Sequence, residues 1–239
     1  DTLSQQELYT NQIKPYYRAP KLFIGFPTRY VDRGWSESMR ALPELPHREW
    51  RSGISPRLGT ALTEALIMAS HDGLHFKRWN EAFLRPGIER DGTWNYGQQY
   101  VVWGIVETKS ELKGAPDELS FYATEHSWTS ETATSDLRRY TLRLDGFVSV
   151  QAPMSGGEII TKPLKFKGQK LALNFATSVA GEILVEVQDE NGKSIEGFVL
   201  KDCYPVFGDT IERTVIWKHG SDVSKLSGAK IRLRFVLKD

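Results

Sequence analysis

Residues 66–83, LIMASHDGLHFKRWNEAF, hold the pattern that decides the fold class. An apolar run ends at a polar pair, Asp72-Gly73 follows, and an aromatic-bearing segment comes next. Asp-Gly between two such segments predicts a β-hairpin, because the turn needs residues that tolerate positive φ. A shorter version recurs around Asp145-Gly146. Repeated hairpins of this kind favour an all-β chain whose first part is built from β-propeller blades.

The second part of the chain has a different pattern of predicted strands. Strands are predicted at residues 158–162, 170–175, 181–188, 210–217 and 230–237, with turn signals between them. Short strands at this spacing predict a β-sandwich. Ile183, Val185 and Val187 alternate with mostly polar residues, which predicts one apolar and one polar face. We therefore expect propeller blades over residues 1–150 and a C-terminal β-sandwich over residues 151–239.

The first region is too short for a closed propeller. A blade takes about 40–45 residues and closure needs about four blades or more, so only about three blades fit. The expectation is an incomplete propeller whose remaining N-terminal blades belong to a longer parent chain; the alternative is that the first region has a different β fold. Within this region, residues 35–60 carry three prolines and two glycines among charged residues. They are predicted to form a surface loop with one short helical turn.

Charge and composition argue against several functional classes. The 31 Lys and Arg residues nearly balance the 30 Asp and Glu residues, so no nucleic-acid partner is expected. The single cysteine, Cys203, and five histidines without zinc-ligand spacing predict no metal site and no cofactor. No apolar run reaches about 18 residues, which predicts no membrane span.

Several short motifs together resemble a known group of proteins. They are YTN at residues 9–11, YRAP at 17–20, FPTRY at 26–30, SHDGLHFKRW at 70–79 and WGIVET at 103–108. With residues 146–150, 171–176 and 232–238 they are similar to uncharacterised bacterial proteins of the glycoside hydrolase family 32-like kind, in the β-fructosidase superfamily. The resemblance implies a five-bladed propeller followed by a β-sandwich, a secreted or periplasmic location and a carbohydrate partner.

The sequence departs from the enzymes of that superfamily at one motif. The β-fructosidases carry Arg-Asp-Pro, whose aspartate stabilises the transition state, and the match here is Arg18-Ala19-Pro20. The resemblance therefore implies that this carboxylate is replaced by a methyl group. That replacement favours a rival interpretation, a carbohydrate-binding protein without catalysis.

Two glutamates are the candidate catalytic residues, because glycoside hydrolysis usually needs a pair of carboxylates. Glu107 ends the apolar stretch 100–107 and is predicted on the same strand face as Trp103 and Ile105. Glu125 ends the predicted strand 119–124. The alternative for each is a solvated or ion-paired strand end. Asp72, by contrast, is predicted to be a structural turn residue.

The candidate substrate-binding residues are aromatic or polar side chains in turns and loops. A guanidinium beside aromatic rings can hold sugar hydroxyls, and loop aromatics can stack on a sugar face. His126 follows Glu125 and could orient it or bind a hydroxyl. The alternatives are packing and ion pairing within the fold. The set comprises Tyr17, Arg18, Trp94, Asn95, Tyr96 and His126.

The sequence thus predicts a glycoside hydrolase-like protein that acts on oligo- or polysaccharide through a propeller funnel, as a hydrolase of O-glycosyl bonds. Two alternatives stay open. One is a carbohydrate-binding protein without catalysis, and the other is a purely structural accessory region.

Overall fold

The computed structural model describes residues 6–128 and 135–239. The chain divides into two compact units: unit 1 contains Asp1–Thr108 and Glu118–Thr141, and unit 2 contains Lys109–Asp117 and Leu142–Asp239. The all-β prediction is confirmed, since small antiparallel sheets make up most of the regular structure and none of those described closes on itself.

Unit 1 contains three small sheets. Their orders are β1-β4-β5, β2-β3-β6-β7 and β10-β9-β8. The strands are β1 Gln6–Tyr9, β2 Lys14–Tyr16, β3 Ala19–Gly25, β4 Thr28–Asp32, β5 Ala61–Ala65, β6 Met68–Ser70, β7 Lys77–Arg78, β8 Val106–Thr108, β9 Glu118–Glu125 and β10 Asp136–Arg143.

A cluster of aromatic rings forms part of the core of unit 1. Phe121 of β9 stacks against Phe26 at 6.2 Å between ring centroids and against Tyr140 of β10 at 5.7 Å. Phe83 contacts both phenylalanines. Because Phe26 links β3 to β4, these rings connect the sheets that share the unit.

The hairpin predicted around Asp72-Gly73 is present. Strands β6 and β7 pair antiparallel, with Met68 opposite Arg78. Six residues connect them, and Asp72 organises the connection: its carboxylate accepts from the backbone N–H groups of Leu74 and His75 at 2.9 and 2.7 Å. The structural role predicted for Asp72 agrees with these bonds.

The hairpin predicted across Asp145-Gly146 is wrong. The turn itself is there, since Gly146 N donates to Arg143 O and Asp145 has a φ of 60°. However, β10 pairs with β9 before the turn, and the next strand, which begins at Gly157, belongs to another sheet. A turn signal makes a hairpin only where two strands can pair beside it.

Residues 35–60 contain three helices where a surface loop with one helical turn was predicted. These are α1 Glu37–Arg40, α2 Leu45–Ile54 and α3 Pro56–Thr60. The prolines begin helices α2 and α3 instead of breaking them, because the first helical turn needs no backbone donor. Ser36 caps α1 by accepting from Met39 N at 3.1 Å.

Unit 2 contains all five strands predicted for the second part of the chain, with ends shifted by up to three residues. They are β11 Gly157–Ile160, β12 Ala172–Ala176, β13 Glu182–Asp189, β14 Asp209–Thr214 and β15 Ile231–Lys238. They form two sheets, β11-β15-β13 and β12-β14. Short 3₁₀ turns lie at Leu200–Asp202 and Ser224–Leu226.

Both sheets of unit 2 contribute to one hydrophobic core. Phe175 from β12 and Val185 from β13 belong to it, together with Phe198 and Trp217. The alternation predicted for β13 is confirmed on the apolar face, where Ile183, Val185 and Val187 are buried. Glu186 and Gln188 of the other face are buried as well. Arg234 of β15 lies 3.5 Å from the Glu186 carboxylate, to which Gln188 Nε2 donates.

Among the described residues, no helix has both the length and the apolar character needed to cross a membrane.

Phe198→Ala tests the core of unit 2. The Phe198 side chain is fully buried and meets Trp217 edge-on at 5.2 Å. We expect the free energy of unfolding to fall by about 3–5 kcal/mol in urea denaturation, because the substitution leaves a cavity. The control is Phe207→Ala, which removes a ring that is 59% exposed and should change stability by less than about 0.5 kcal/mol. Equal losses would contradict this assignment of the core.

Asp72→Asn tests the role of this carboxylate in the connection between β6 and β7 through the pH dependence of the melting temperature. The N–H and imidazole of His75 and the N–H of Leu74 hold the pKa of Asp72 well below 3.8. A carboxyl with a depressed folded-state pKa stabilises above the unfolded value and loses that effect as pH falls through the folded value. The melting temperature of the variant should lie below that of the wild type at neutral pH. The difference should shrink below about pH 4; a difference that stays constant down to about pH 2 would contradict the prediction.

Candidate functional site

Three of the predicted site residues lie together. Tyr17 Oη donates to Glu107 Oε2 at 2.5 Å although 90 positions separate the two residues, and Arg18 Nη1 lies 3.8 Å from the same oxygen. Tyr17 and Arg18 form the two-residue connection between β2 and β3. Glu107 is held in β8 opposite Leu119 of β9. Strand pairing therefore fixes the carboxylate, and a tight turn presents the phenol and the guanidinium to it.

A small cavity of about 240 Å³ adjoins this group. Tyr17, Gly104 and Ile105 are among the residues that line it. Lys14 Nζ, from another lining residue, lies 4.9 Å from the centre of the Trp103 ring, which is 60% exposed. Exposed rings beside charged groups suit a ligand with an apolar face and polar edges, such as a sugar.

Glu125 lies in a different environment, with only 5% of its surface exposed. Its Oε1 accepts from Tyr140 Oη at 2.8 Å and from Arg138 Nη1 at 3.2 Å. Arg90 Nη2 lies 3.6 Å from Oε2. Two guanidinium groups and a phenol thus occupy the carboxylate, which is the arrangement of a buried structural ion pair.

His126 is linked to Glu125 through a shared arginine. Its Nε2 lies 3.3 Å from Arg90 Nη1, and its Nδ1 lies 2.6 Å from Asp136 Oδ2. Gly92 packs against the imidazole so closely that an added Cβ would lie 2.1 Å from His126 Cδ2. Gly92 also has a φ of 79°, so both the backbone conformation and the lack of space for a Cβ favour glycine at this position.

The segment Trp94-Asn95-Tyr96 lies partly inside the unit. Asn95 is fully buried, and its Nδ2 donates to Glu44 Oε2 at 3.0 Å. Trp94 Nε1 donates to Gly87 O at 2.8 Å, and the Tyr96 ring meets Tyr30 edge-on at 5.9 Å. The prediction had placed this segment on the surface as a stacking platform, whereas its central residue faces the interior.

Glu107 and Glu125 are too far apart to act on the same bond. Glu107 lies opposite Leu119, and Glu125 is six residues further along β9. At about 3.3 Å per residue this places their backbones roughly 20 Å apart. Glycosidase carboxylate pairs stand about 5–10 Å apart. Glu118 does not complete the pair either, because it lies opposite Thr108 and so faces away from Glu107.

Two buried arginines on α2 are not among the site residues that the sequence predicts. Arg48 and Arg51 are 1% and 2% exposed. Arg48 donates to Trp94 O at 2.5 Å, and Arg51 Nη1 donates to Trp128 O at 3.1 Å. Their spacing of three residues is the sequence signal for one helix face, but it has meaning only once the helix itself is predicted.

Substituting each glutamate should separate the structural carboxylate from the exposed one. Glu125→Gln replaces a buried charge that a phenol and two arginines contact, and it should lower the free energy of unfolding by about 1–3 kcal/mol. The matched change Glu107→Gln should lower it by about 1 kcal/mol or less, because exposed ion pairs stabilise little. Urea denaturation measures both. The assignment of roles would be wrong if Glu107→Gln were the more destabilising change.

Within the described ranges, no group of three or more His, Cys, Asp or Glu side chains is arranged to hold a metal ion. Comparison of the chain with protein-family models, with curated proteins and with solved structures finds no match.

Proposed function

We propose that unit 1 binds a saccharide at the cavity beside Glu107 and hydrolyses a glycosidic bond there. The observation that carries the proposal is the short hydrogen bond from Tyr17 to Glu107, with Arg18 3.8 Å from the same carboxylate oxygen. The exposed Trp103 ring, 4.9 Å from Nζ of the cavity-lining residue Lys14, can stack on a sugar face.

Glu107 would act as the general acid or base of the reaction. Hydrolysis of a glycoside needs an acid or base within hydrogen-bond reach of the proton that it transfers. The phenol of Tyr17 is within that reach of Glu107, and tyrosine serves as the nucleophile in some glycosidases. In that case Glu107 takes the phenol proton, Tyr17 Oη attacks the anomeric carbon, and the glycosidic C–O bond breaks; the leaving oxygen takes a proton from solvent, and water then hydrolyses the glycosyl-tyrosine. In the other case Glu107 takes a proton from a water molecule that attacks the anomeric carbon, and the leaving oxygen again takes its proton from solvent.

The wider architecture is also a proposal. Three small sheets in unit 1 agree in number with the three blades expected for an incomplete five-bladed propeller. Two sheets that share one core in unit 2 support a β-sandwich. The relationship to glycoside hydrolase family 32-like proteins, the secreted or periplasmic location and the further blades of a longer parent chain belong to the same hypothesis.

Carbohydrate binding without catalysis is the second candidate function. Two points favour it: under the proposed relationship Ala19 stands where the β-fructosidases carry the aspartate of Arg-Asp-Pro, and Glu125 lies too far from Glu107 to serve as its partner. The same aromatic and charged side chains would then hold the sugar without cleaving it.

Hydrolysis of a panel of fructosides, aryl glycosides and oligosaccharides tests the first candidate. Glu107→Gln should lower kcat/KM on any cleaved substrate by about 100-fold or more, because it removes the proton-transfer group. Tyr17→Phe should cause a loss of similar size if the phenol is the nucleophile, and little loss if water is. The control is Glu81→Gln, an exposed glutamate of the same unit, which should keep wild-type activity.

Binding measurements on the same panel decide between the two functions. Calorimetric binding without hydrolysis, weakened about tenfold in Trp103→Ala, would establish the binding protein. Activity that survives in Glu107→Gln would contradict the catalytic assignment. Neither binding nor hydrolysis of any saccharide would overturn the whole proposal.

A further inference from the structure

An open groove of about 600 Å³ lies at one end of the sheet β11-β15-β13 in unit 2. Three segments line it: the chain that leaves β11, the turn that follows β13 and the residue that precedes β15. The volume falls within the range of about 300–1,000 Å³ that small-molecule sites occupy. The lining residues are Lys162, Pro163, Leu164, Lys165, Glu190, Asn191 and Lys230.

The groove carries an excess of positive charge. Lys162 and Lys165 are exposed, and among the described residues no carboxylate lies within ion-pair distance of either ammonium group. Lys230 Nζ lies 3.3 Å from Glu190 Oε2, so these two charges offset each other. Three lysines against one glutamate leave the groove a net charge of +2, more than the +1 of the whole chain. Anions are therefore attracted to this groove more than to the protein surface as a whole.

Hydrogen bonds hold the walls of the groove together. Arg232 of β15 donates from Nε to Glu190 O at 3.0 Å and from Nη1 to Thr161 O at 3.2 Å, so one guanidinium joins two of the lining segments. Leu164 and Ile231 exchange two backbone hydrogen bonds of 2.8 and 3.0 Å. Walls that are already in place lose little conformational entropy when a ligand binds.

The turn after β13 adds an amide to the groove. Asp189 Oδ1 accepts from the backbone N–H groups of Asn191 and Lys193 at 2.9 and 3.0 Å, which fixes the backbone of the turn. The Asn191 side chain lines the groove and makes no hydrogen bond to any described residue. An amide offers two donors and an acceptor, so it can bind a hydroxyl group in either direction.

The lining residues favour an acidic saccharide over other polyanions. None of the seven is aromatic, so the described groove offers no ring on which a nucleic-acid base could stack. The Glu190 carboxylate repels a backbone that is charged at every step, but it can accept from hydroxyl groups. The lysine ammonium groups attract carboxylate and sulfate groups alike, because each acts as a point charge. Together they match a chain that carries many hydroxyls and spaced negative groups.

We propose that this groove of unit 2 binds an acidic oligosaccharide, with its negative groups on Lys162 and Lys165 and its hydroxyls on Asn191 and Glu190. Uronic carboxylates and sulfate esters are the two sources of that negative charge. The groove shares no residue with the Glu107 group, so this binding goes beyond the proposed function and does not depend on catalysis.

Calorimetric titration of the full chain with trigalacturonate, sulfated maltotriose and maltotriose tests the groove. We expect at least one acidic ligand to bind about tenfold or more tightly than neutral maltotriose, because only the acids pair with the lysines. The acid that binds identifies the negative group as carboxylate or sulfate. Binding should weaken as sodium chloride rises from about 50 to about 500 mM, since salt screens exposed charges. Affinity for neither acid above that for maltotriose would overturn the proposal.

Two double variants that lose the same charge locate the site. Lys162→Gln with Lys165→Gln removes both unpaired lysines of the groove and should weaken acid binding about tenfold or more. Lys167→Gln with Lys170→Gln removes two exposed lysines of the same segment that do not line the groove, and it should bind as the wild type does. Equal weakening in both double variants would show attraction to net charge alone and would overturn the site.

Asn191→Ala and competing polyanions test the assignment to a saccharide. Asn191→Ala should weaken binding about threefold or more and leave the melting temperature unchanged, because the amide makes no hydrogen bond to the described chain. Hexaglutamate and a thymidylate hexamer should not displace the acidic saccharide at equal concentration; displacement by either would show a general polyanion site and overturn the assignment.

Glu107→Gln separates this groove from the proposed site in unit 1. The variant should bind the acidic saccharide as the wild type does, so failure of the Glu107 proposal would leave this inference intact. Loss of acid binding in Glu107→Gln would place the ligand at the Glu107 cavity and overturn the inference.

Discussion

The burial of two arginines on one face of α2 is the constraint on which the interior of unit 1 depends. Burial, reinforced by neighbouring Arg51, lowers the pKa of Arg48 to about 10, which still leaves its guanidinium charged at neutral pH. That charge must find acceptors inside the fold. The carbonyls of Pro43 and Trp94 supply them at 2.8 and 2.5 Å. Trp94, which accepts one of these bonds, has a φ of 59°, a value that few non-glycine residues adopt. The guanidinium of Arg48 thus joins helix α2 to the loop that contains Trp94.

The two candidate catalytic glutamates of unit 1 differ in burial and in the number of groups that contact them. Glu125 is enclosed by Arg90, Arg138 and Tyr140, so its hydrogen-bonding capacity is used within the protein. Glu107 is about one-third exposed, with Tyr17 as its nearest donor. A reacting group has to remain accessible to its substrate, and this favours Glu107. The sequence pattern at the two glutamates is the same, a charged residue near the end of an apolar stretch. Only the long-range contacts distinguish them.

The sequence was most informative where structure is local. The strands of unit 2 could be located because a strand alternates apolar and polar residues with a period of two, as β13 does at Ile183, Val185 and Val187. The extent of helix in residues 37–60 was not predicted, because prolines and glycines among charged residues indicated a surface loop, although proline is favoured in the first helical turn. The sequence could not show that Tyr17 is hydrogen-bonded to Glu107, because the two residues are 90 positions apart and only the folded chain brings them together.

The hydrogen bond between Tyr17 and Glu107 itself restricts what can bind beside it. A ligand that inserts between the two side chains displaces this hydrogen bond, and it fits best if it offers a donor to the carboxylate and an acceptor to the phenol. A sugar hydroxyl can do both, because it donates one hydrogen and accepts through its lone pairs. An apolar ligand of the same size can do neither. Under the proposed function, the pair favours hydroxyl-bearing ligands whether or not catalysis follows.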